Sequence, residues 1–179
     1  MARRTAGPGF TVLELLITLA IGAILLLIAL PTYRAWIDDA EMRDEVRRLT
    51  NAMSVARAES LKRNNRVNLC PSPDGLHCAD DGRWEQGWIV FSDADHDGER
   101  ADDEALIRVD PPSRAGFSVR GNRPVKDYVS YTPLGHTRMV NGALQMGTLT
   151  VCRPGRKAVD VVLANGGRVR VVSTGTTCP

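Results

Sequence analysis

Hydrophobic and polar positions take three forms along this chain. Residues 10–30 are apolar on every side, with Glu14 the one charged residue among them. A helix of that pattern belongs in hydrocarbon, and a bilayer needs about 20 such residues. From residue 31 the pattern turns amphipathic. Met42, Val46, Leu49, Met53 and Ala56 recur at steps of four and three, which places them on one helical face. The other face carries Asp38, Asp39, Glu41, Arg43, Asp44, Glu45, Arg47 and Arg48 and reads as solvated pairs one turn apart. These patterns predict one long helix from residue 10 to about 64. Pro31 removes one of its hydrogen bonds and should kink or loosen it. Arg57, Lys62, Arg63 and Arg66 make its end basic, which the helix macrodipole favours.

After Asn64-Asn65 the period shortens to that of strands. Residues 66–70 read as a first strand and Pro71-Ser72-Pro73-Asp74-Gly75 as a loop. Trp88-Ile89-Val90-Phe91 is a continuous apolar run, hence a buried strand. Residues 104–109, 117–120 and 128–131 are weaker strands, divided by Pro111-Pro112 and Pro124. Residues 148–153, 158–163 and 168–172 are the clearest, with Asn165-Gly166 as the turn of a closing hairpin. One long helix followed by strands gives the α+β class, an antiparallel C-terminal sheet packed on the amphipathic half of the helix.

Net charge changes this picture only when it is mapped. Residues 67–104 hold 2 basic and 11 acidic side chains, whereas residues 105–179 hold 11 basic and 3 acidic. Such asymmetry suggests two faces with different partners, or one internal acidic–basic contact. Cys70, Cys78, Cys152 and Cys178 form an even set beyond an apolar anchor, which points to an oxidising compartment and two disulfides. Of three connectivities, Cys70–Cys78 with Cys152–Cys178 pairs nearby parts of one unit. Zinc is the weaker reading, because no tight pair of cysteines is present.

Glu14 is costly in lipid, roughly 2.5–3.5 kcal/mol for an acid at a helix centre, so it calls for a partner. Met1 to Gly9 is short and carries Arg3 and Arg4. A cut after Gly9 would make Phe10 a cationic N-terminus four residues before Glu14. An ordinary secretory signal is cut after its apolar stretch at small residues, which this chain lacks. Gly9-Phe10-Thr11-Val12-Leu13-Glu14 resembles the processing site of type IV pilins and type II secretion pseudopilins. The resemblance implies cleavage after Gly9 by a prepilin peptidase and methylation of Phe10. It also implies pairing of Glu14 with a neighbouring pilin subunit's N-terminus. On this reading residues 1–9 are a leader and 10–30 the transmembrane half of the helix. Residues 31–65 are its amphipathic half and 66–179 a β-rich domain. The protein would begin in the bacterial inner membrane, with its domain in the periplasm, and move to a cell-surface pilus.

The likeness continues past the anchor. Asn51 to Ser60 is similar to the A-R-x-E-A stretch of FimT/FimU minor pilins and GspH-type pseudopilins, with Ser60 in place of the usual alanine. Gly87 to Asp93 and Gly167-Arg168-Val169-Arg170 match the same family. In FimT-type minor pilins a G-R-x-R motif is associated with DNA binding in natural transformation. Carried over, Arg168 and Arg170 contact phosphate and Gly167 allows the turn. Alternation on a strand puts the arginines on one face and Val169 and Val171 towards the core. Arg153, Arg156 and Lys157 stand on the preceding strand end and turn and could lie alongside. No aromatic residue interleaves this patch, which favours phosphate-led binding of double-stranded DNA over base stacking. Filament contact is the competing use of the same arginines. So the chain is either a DNA-capturing minor pilin or a structural subunit that primes a pilus or a type II secretion pseudopilus.

Asp93-Ala94-Asp95-His96-Asp97-Gly98, with Glu104, fits the calcium-loop pattern D-x-D-x-D-G-x₅-E. A strand precedes it where a helix should, and Arg100 takes a position that is usually apolar. The loop is therefore read as a solvated turn without a cofactor, with weak Ca²⁺ binding the alternative. His77, His96 and His136 sit in turn-like sequence without a nucleophile or metal set, so no enzyme is expected.

Overall fold

The computed structural model describes residues 11–179. The leader, Gly9 and Phe10 lie outside the described residues. The chain forms two compact units, Met1–Ala40 and Glu41–Pro179. Helix α1, Val12–Arg63, is continuous through Pro31. Thr11 caps its start, with its Oγ1 accepting the Glu14 N–H at 3.2 Å. Asn64 follows its end with φ 49°, the left-handed residue that commonly stops a helix. Among the described residues no helix is long and apolar enough to cross a membrane. The sequence of residues 11–30 nevertheless holds a single charged residue, Glu14, so the anchor rests on the sequence.

In the second unit the single expected sheet is two four-stranded antiparallel sheets. Strands β1 (Arg66–Pro71), β2 (Trp88–Asp93), β3 (Leu106–Asp110) and β5 (Val129–Tyr131) make one, in the order β3-β2-β1-β5. Strands β4 (Ser118–Gly121), β6 (Gly147–Cys152), β7 (Lys157–Leu163) and β8 (Val169–Thr177) make the other, in the order β4-β6-β7-β8. The proline-rich link from β3 to β4 carries the chain from one sheet to the other. The stripe Met42, Val46, Leu49, Ala52, Met53 and Ala56 packs against both sheets in one core, with Trp84, Trp88, Tyr131, Leu149 and Leu163 fully or almost fully buried there. Ile89 and Phe91 point the other way along β2. With Cys70 they form a second cluster on the far face of that sheet.

Two disulfides close the unit. Cys70–Cys78 ties the end of β1 to the following loop, and Cys152–Cys178 ties β6 to the chain beyond β8. The polar helix face is less solvated than expected. Glu45 is buried and accepts hydrogen bonds from Arg48 (2.9 Å) and the Ser113 hydroxyl (2.7 Å). Arg48 also donates to the Pro111 carbonyl at 2.6 Å and lies over the Trp88 ring. Glu41 binds Arg153 and Arg114, whose hydrogen bonds hold its carboxyl below the usual range. One pair along the helix and contacts from the β3–β4 loop and from Arg153, just after β6, together hold these charges.

Candidate nucleic-acid interface

The closing hairpin places Leu163 of β7 opposite Val169 of β8. Between them the Ala164 N–H donates to the Arg168 carbonyl (2.9 Å) and the Gly167 N–H to the Ala164 carbonyl (2.8 Å). That is a three-residue hairpin loop, whose third residue is left-handed, and Gly167 has φ 75°. The expected two-residue turn at Asn165-Gly166 would need positive φ at both; neither has it. The neighbouring 132–138 loop explains the difference. The Thr137 N–H donates to the Asn165 carbonyl (3.0 Å), and the Gly135 carbonyl is packed against Gly167. A Cβ on Gly167 would lie 2.1 Å from that oxygen. From the helix side, Arg57 Nη1 donates to the Gly167 carbonyl at 3.3 Å.

This clamp fixes where the arginines leave the turn. Val169 packs against the core, and Arg168 and Arg170 stand on the opposite, exposed face. Neither guanidinium has a partner among the described residues. Val171 departs from expectation, being 52% exposed, as is Val172 at 39%. β8 is an edge strand that runs to Thr177, and only its first residue reaches the core.

Arg153, Arg156 and Lys157 do not join this group. Lys157 lies opposite Thr177, whereas Arg170 lies opposite Val162. The separation along β7 is five residues, or about 17 Å at about 3.3 Å per residue. Arg153 is engaged with Glu41 and stacks its guanidinium over Phe117, 5.2 Å from the ring centre. Arg156 is also partnered, and Lys157 is exposed.

Sequence reasoning missed Arg57 and Tyr131. Arg57 follows Met53 by one turn, so it flanks the packing stripe, which is the signal that could have found it. Together with Met53, Leu61, Gly167 and Val169 they line a cleft of about 260 Å³ between helix and hairpin. The Tyr131 hydroxyl is buried there without a hydrogen-bond partner. Burial pushes its pKa well up, against the pull of the Arg57 charge. Elsewhere, His77 Nδ1 lies 2.9 Å from Asp74 Oδ2, and Cys70 and Cys78 are joined in a disulfide. Asp93 ends β2 of the other sheet and lies close to Asp95 and Asp97 in the loop that follows, which Glu104 closes. Glu14 is exposed in the first turn of α1.

The sequence profile of the family described as type II transport protein GspH matches residues 45–175. The chain belongs to the GspH family. A second profile, the prokaryotic N-terminal methylation motif, matches residues 8–30, which carry Gly9, Phe10 and Glu14. Among solved structures this GspH-family chain is similar to the type IV minor pilin FimU of Pseudomonas aeruginosa strain PAO1. In one crystal form the TM-score is 0.60 at 17% identity, covering 76% of this chain and 92% of FimU. In a second form it is 0.51 at 14% identity, covering 75% and 91%. At those identities the likeness establishes the fold, a long helix packed on antiparallel sheets. No curated protein matches the chain.

Proposed function

We propose that this GspH-family chain is a minor subunit of a type IV pilus that captures extracellular double-stranded DNA. The observation that carries the reading is the pair Arg168 and Arg170, exposed on one face at a hairpin tip and without acidic partners. Guanidinium groups present a planar fork suited to phosphate oxygens. The buried clamp on Gly167 fixes the backbone from which both side chains leave. A two-arginine contact at a hairpin end reads backbone charge rather than base sequence. The chain is cut after Gly9 by a prepilin peptidase, held in the inner membrane by residues 10–30, and assembled with other pilin subunits through Glu14. The methylation-motif match supports that sequence of events. The contact proposed rests on Arg168 and Arg170, since Lys157 is paired five residues along β7 from the position opposite Arg170 and Arg153 is engaged with Glu41.

A second reading has its own support. The β8 edge exposes Val171 and Val172 beside unpaired backbone, a surface fit for a neighbouring subunit in a pilus or secretion pseudopilus. Fluorescence anisotropy of the full-length chain in detergent, with a labelled duplex at 50 mM salt, separates the two. DNA capture predicts similar affinity for unrelated sequences and at least about a tenfold loss in Arg168→Gln/Arg170→Gln, corresponding to about 1.4 kcal/mol, with Lys157→Gln near wild type. No binding by the wild type, or unchanged binding by the double variant, would leave the assembly reading in its place.

A further inference from the structure

On sequence residues 93–104 read as a solvated turn, with weak Ca²⁺ binding as the alternative, because a strand leads into them and Arg100 stands among them. The folded loop adds observations that favour the alternative. Asp93, Asp95 and Asp97 each bring a carboxylate oxygen within 4.8 Å of the other two. Calcium takes oxygen ligands at about 2.3–2.6 Å, so two ligands of one ion lie no more than roughly 5 Å apart. The three oxygens already satisfy that limit.

Asp93 supplies a second and independent observation. It is 0% exposed. Its Oδ2 accepts the Asn68 amide at 2.6 Å, but its Oδ1 is buried without any hydrogen-bond partner. A buried carboxylate oxygen without a donor is costly unless a positive charge meets it. Burial pushes the Asp93 carboxyl up, and the Glu104 charge adds to the rise. The Asn68 amide, the His96 N–H and the Arg66 charge pull the other way.

Among the described residues no cation forms an ion pair with these carboxylates, although Arg66 stands opposite Asp93 across β1 and β2. Arg100 donates to the Leu76 carbonyl (3.0 Å) and the Glu104 carbonyl (3.2 Å), so it spans the outside of the loop. Arg66 reaches the Met139 carbonyl at 3.5 Å. His96, Glu99, Asp102 and Asp103 complete the charged or titratable groups of the segment, three of them acidic. The loop is also tied by its own hydrogen bonds. Glu104 Oε1 accepts the Ala94 N–H at 2.6 Å and Oε2 the Ala101 N–H at 3.2 Å, which ties its ends together. Gly98, with φ 91°, makes the bend that brings the aspartates round.

We propose that the β2–β3 loop binds one calcium ion through the carboxylates of Asp93, Asp95 and Asp97, with Glu104 as the positioning residue. Because both Glu104 oxygens are taken by backbone, side chains supply three ligands, and backbone carbonyls and water complete the shell. Few ligand charges give weak affinity, with Kd on the order of 10⁻⁴–10⁻³ M, the range of extracellular modules. Magnesium needs a tighter octahedron and gives up its water reluctantly, so it should bind less well. The inference stands whether or not the hairpin binds DNA.

The test is calcium titration of the full-length chain in detergent, followed by calorimetry and thermal melting. One saturable site per chain is expected, with a melting temperature raised by about 3–11 °C at 10 mM CaCl₂. The same concentration of MgCl₂ should give less than half that shift. Asp95→Asn/Asp97→Asn should abolish both the heat and the shift, yet melt without calcium at or above the wild-type temperature, since repulsion is relieved. Absence of a saturable site and of any shift up to 10 mM would overturn the proposal. So would an equal shift with magnesium, or a calcium shift retained by the double variant. Should that variant fail to fold, the wild-type stoichiometry and its calcium-over-magnesium preference decide alone.

Discussion

Replacing Gly167 by alanine perturbs the turn that presents both arginines, and the structure sets its size. An L-residue held in the left-handed region costs about 1–2 kcal/mol. Part of that is offset, by about 0.4–1 kcal/mol, because alanine has less freedom than glycine in the unfolded chain. The larger effect is steric. The new Cβ would lie 2.1 Å from the Gly135 carbonyl oxygen, and that is backbone, not the tip of a flexible side chain. Forced shifts of this kind cost about 1–3 kcal/mol. The net expectation is a loss of roughly 2–4 kcal/mol, or a melting temperature lower by about 4–16 °C for a domain of this size. Gly166→Ala is the internal control. It has nothing within 4 Å of the added Cβ and no left-handed φ, so it should stay within about 0.5 kcal/mol of wild type. Thermal melting of both variants is the assay. A Gly167→Ala protein that melts within 1 °C of wild type, or a Gly166→Ala protein that loses as much, would refute the clamped-turn argument.

Two further predictions concern what holds the unit together. The Cys152–Cys178 disulfide spans 26 residues, so Cys152→Ser/Cys178→Ser should lose about 3–4 kcal/mol on the chain-entropy model, read as a lower midpoint in urea; an unchanged midpoint would contradict it. Arg153 and Arg114 depress the Glu41 pKa, so its contribution is present above the unfolded value near 4.3 and lost as pH falls through the lower folded value. Glu41→Gln should therefore melt lower than wild type at pH 7 and converge with it as pH falls through the lowered folded value; a gap that stays constant into acid would show that the ion pair is not the cause.

The sequence made the helix and most strands legible because their signals are local. The 42-46-49-53-56 stripe and the apolar run at 88–91 each announce a buried face, and Asn64 marks a helix end. The division into two sheets was not legible, since it depends on which strands pair across long separations. Glu45 and Arg48 looked like a solvated pair because helical spacing alone cannot show that residues 111–113 come back over them. The same limit applies to the candidate interface. Arg168 and Arg170 can be placed on one face by alternation, but excluding Lys157 needs the register of β7 against β8. Arg57 is joined to the turn by a contact 110 residues away in sequence. In the acidic loop the motif was visible, whereas the buried, partnerless Asp93 Oδ1 required the fold.

The salt dependence of duplex binding tests the central claim most directly. Each phosphate contact contributes about 0.9 to the slope of log K against log salt. With affinity measured over 50–200 mM salt, Arg168→Gln/Arg170→Gln should therefore have a slope shallower by about 1.8 than wild type, for duplexes of unrelated sequence alike. A double variant that keeps both the wild-type slope and the wild-type affinity would contradict phosphate contact at this hairpin.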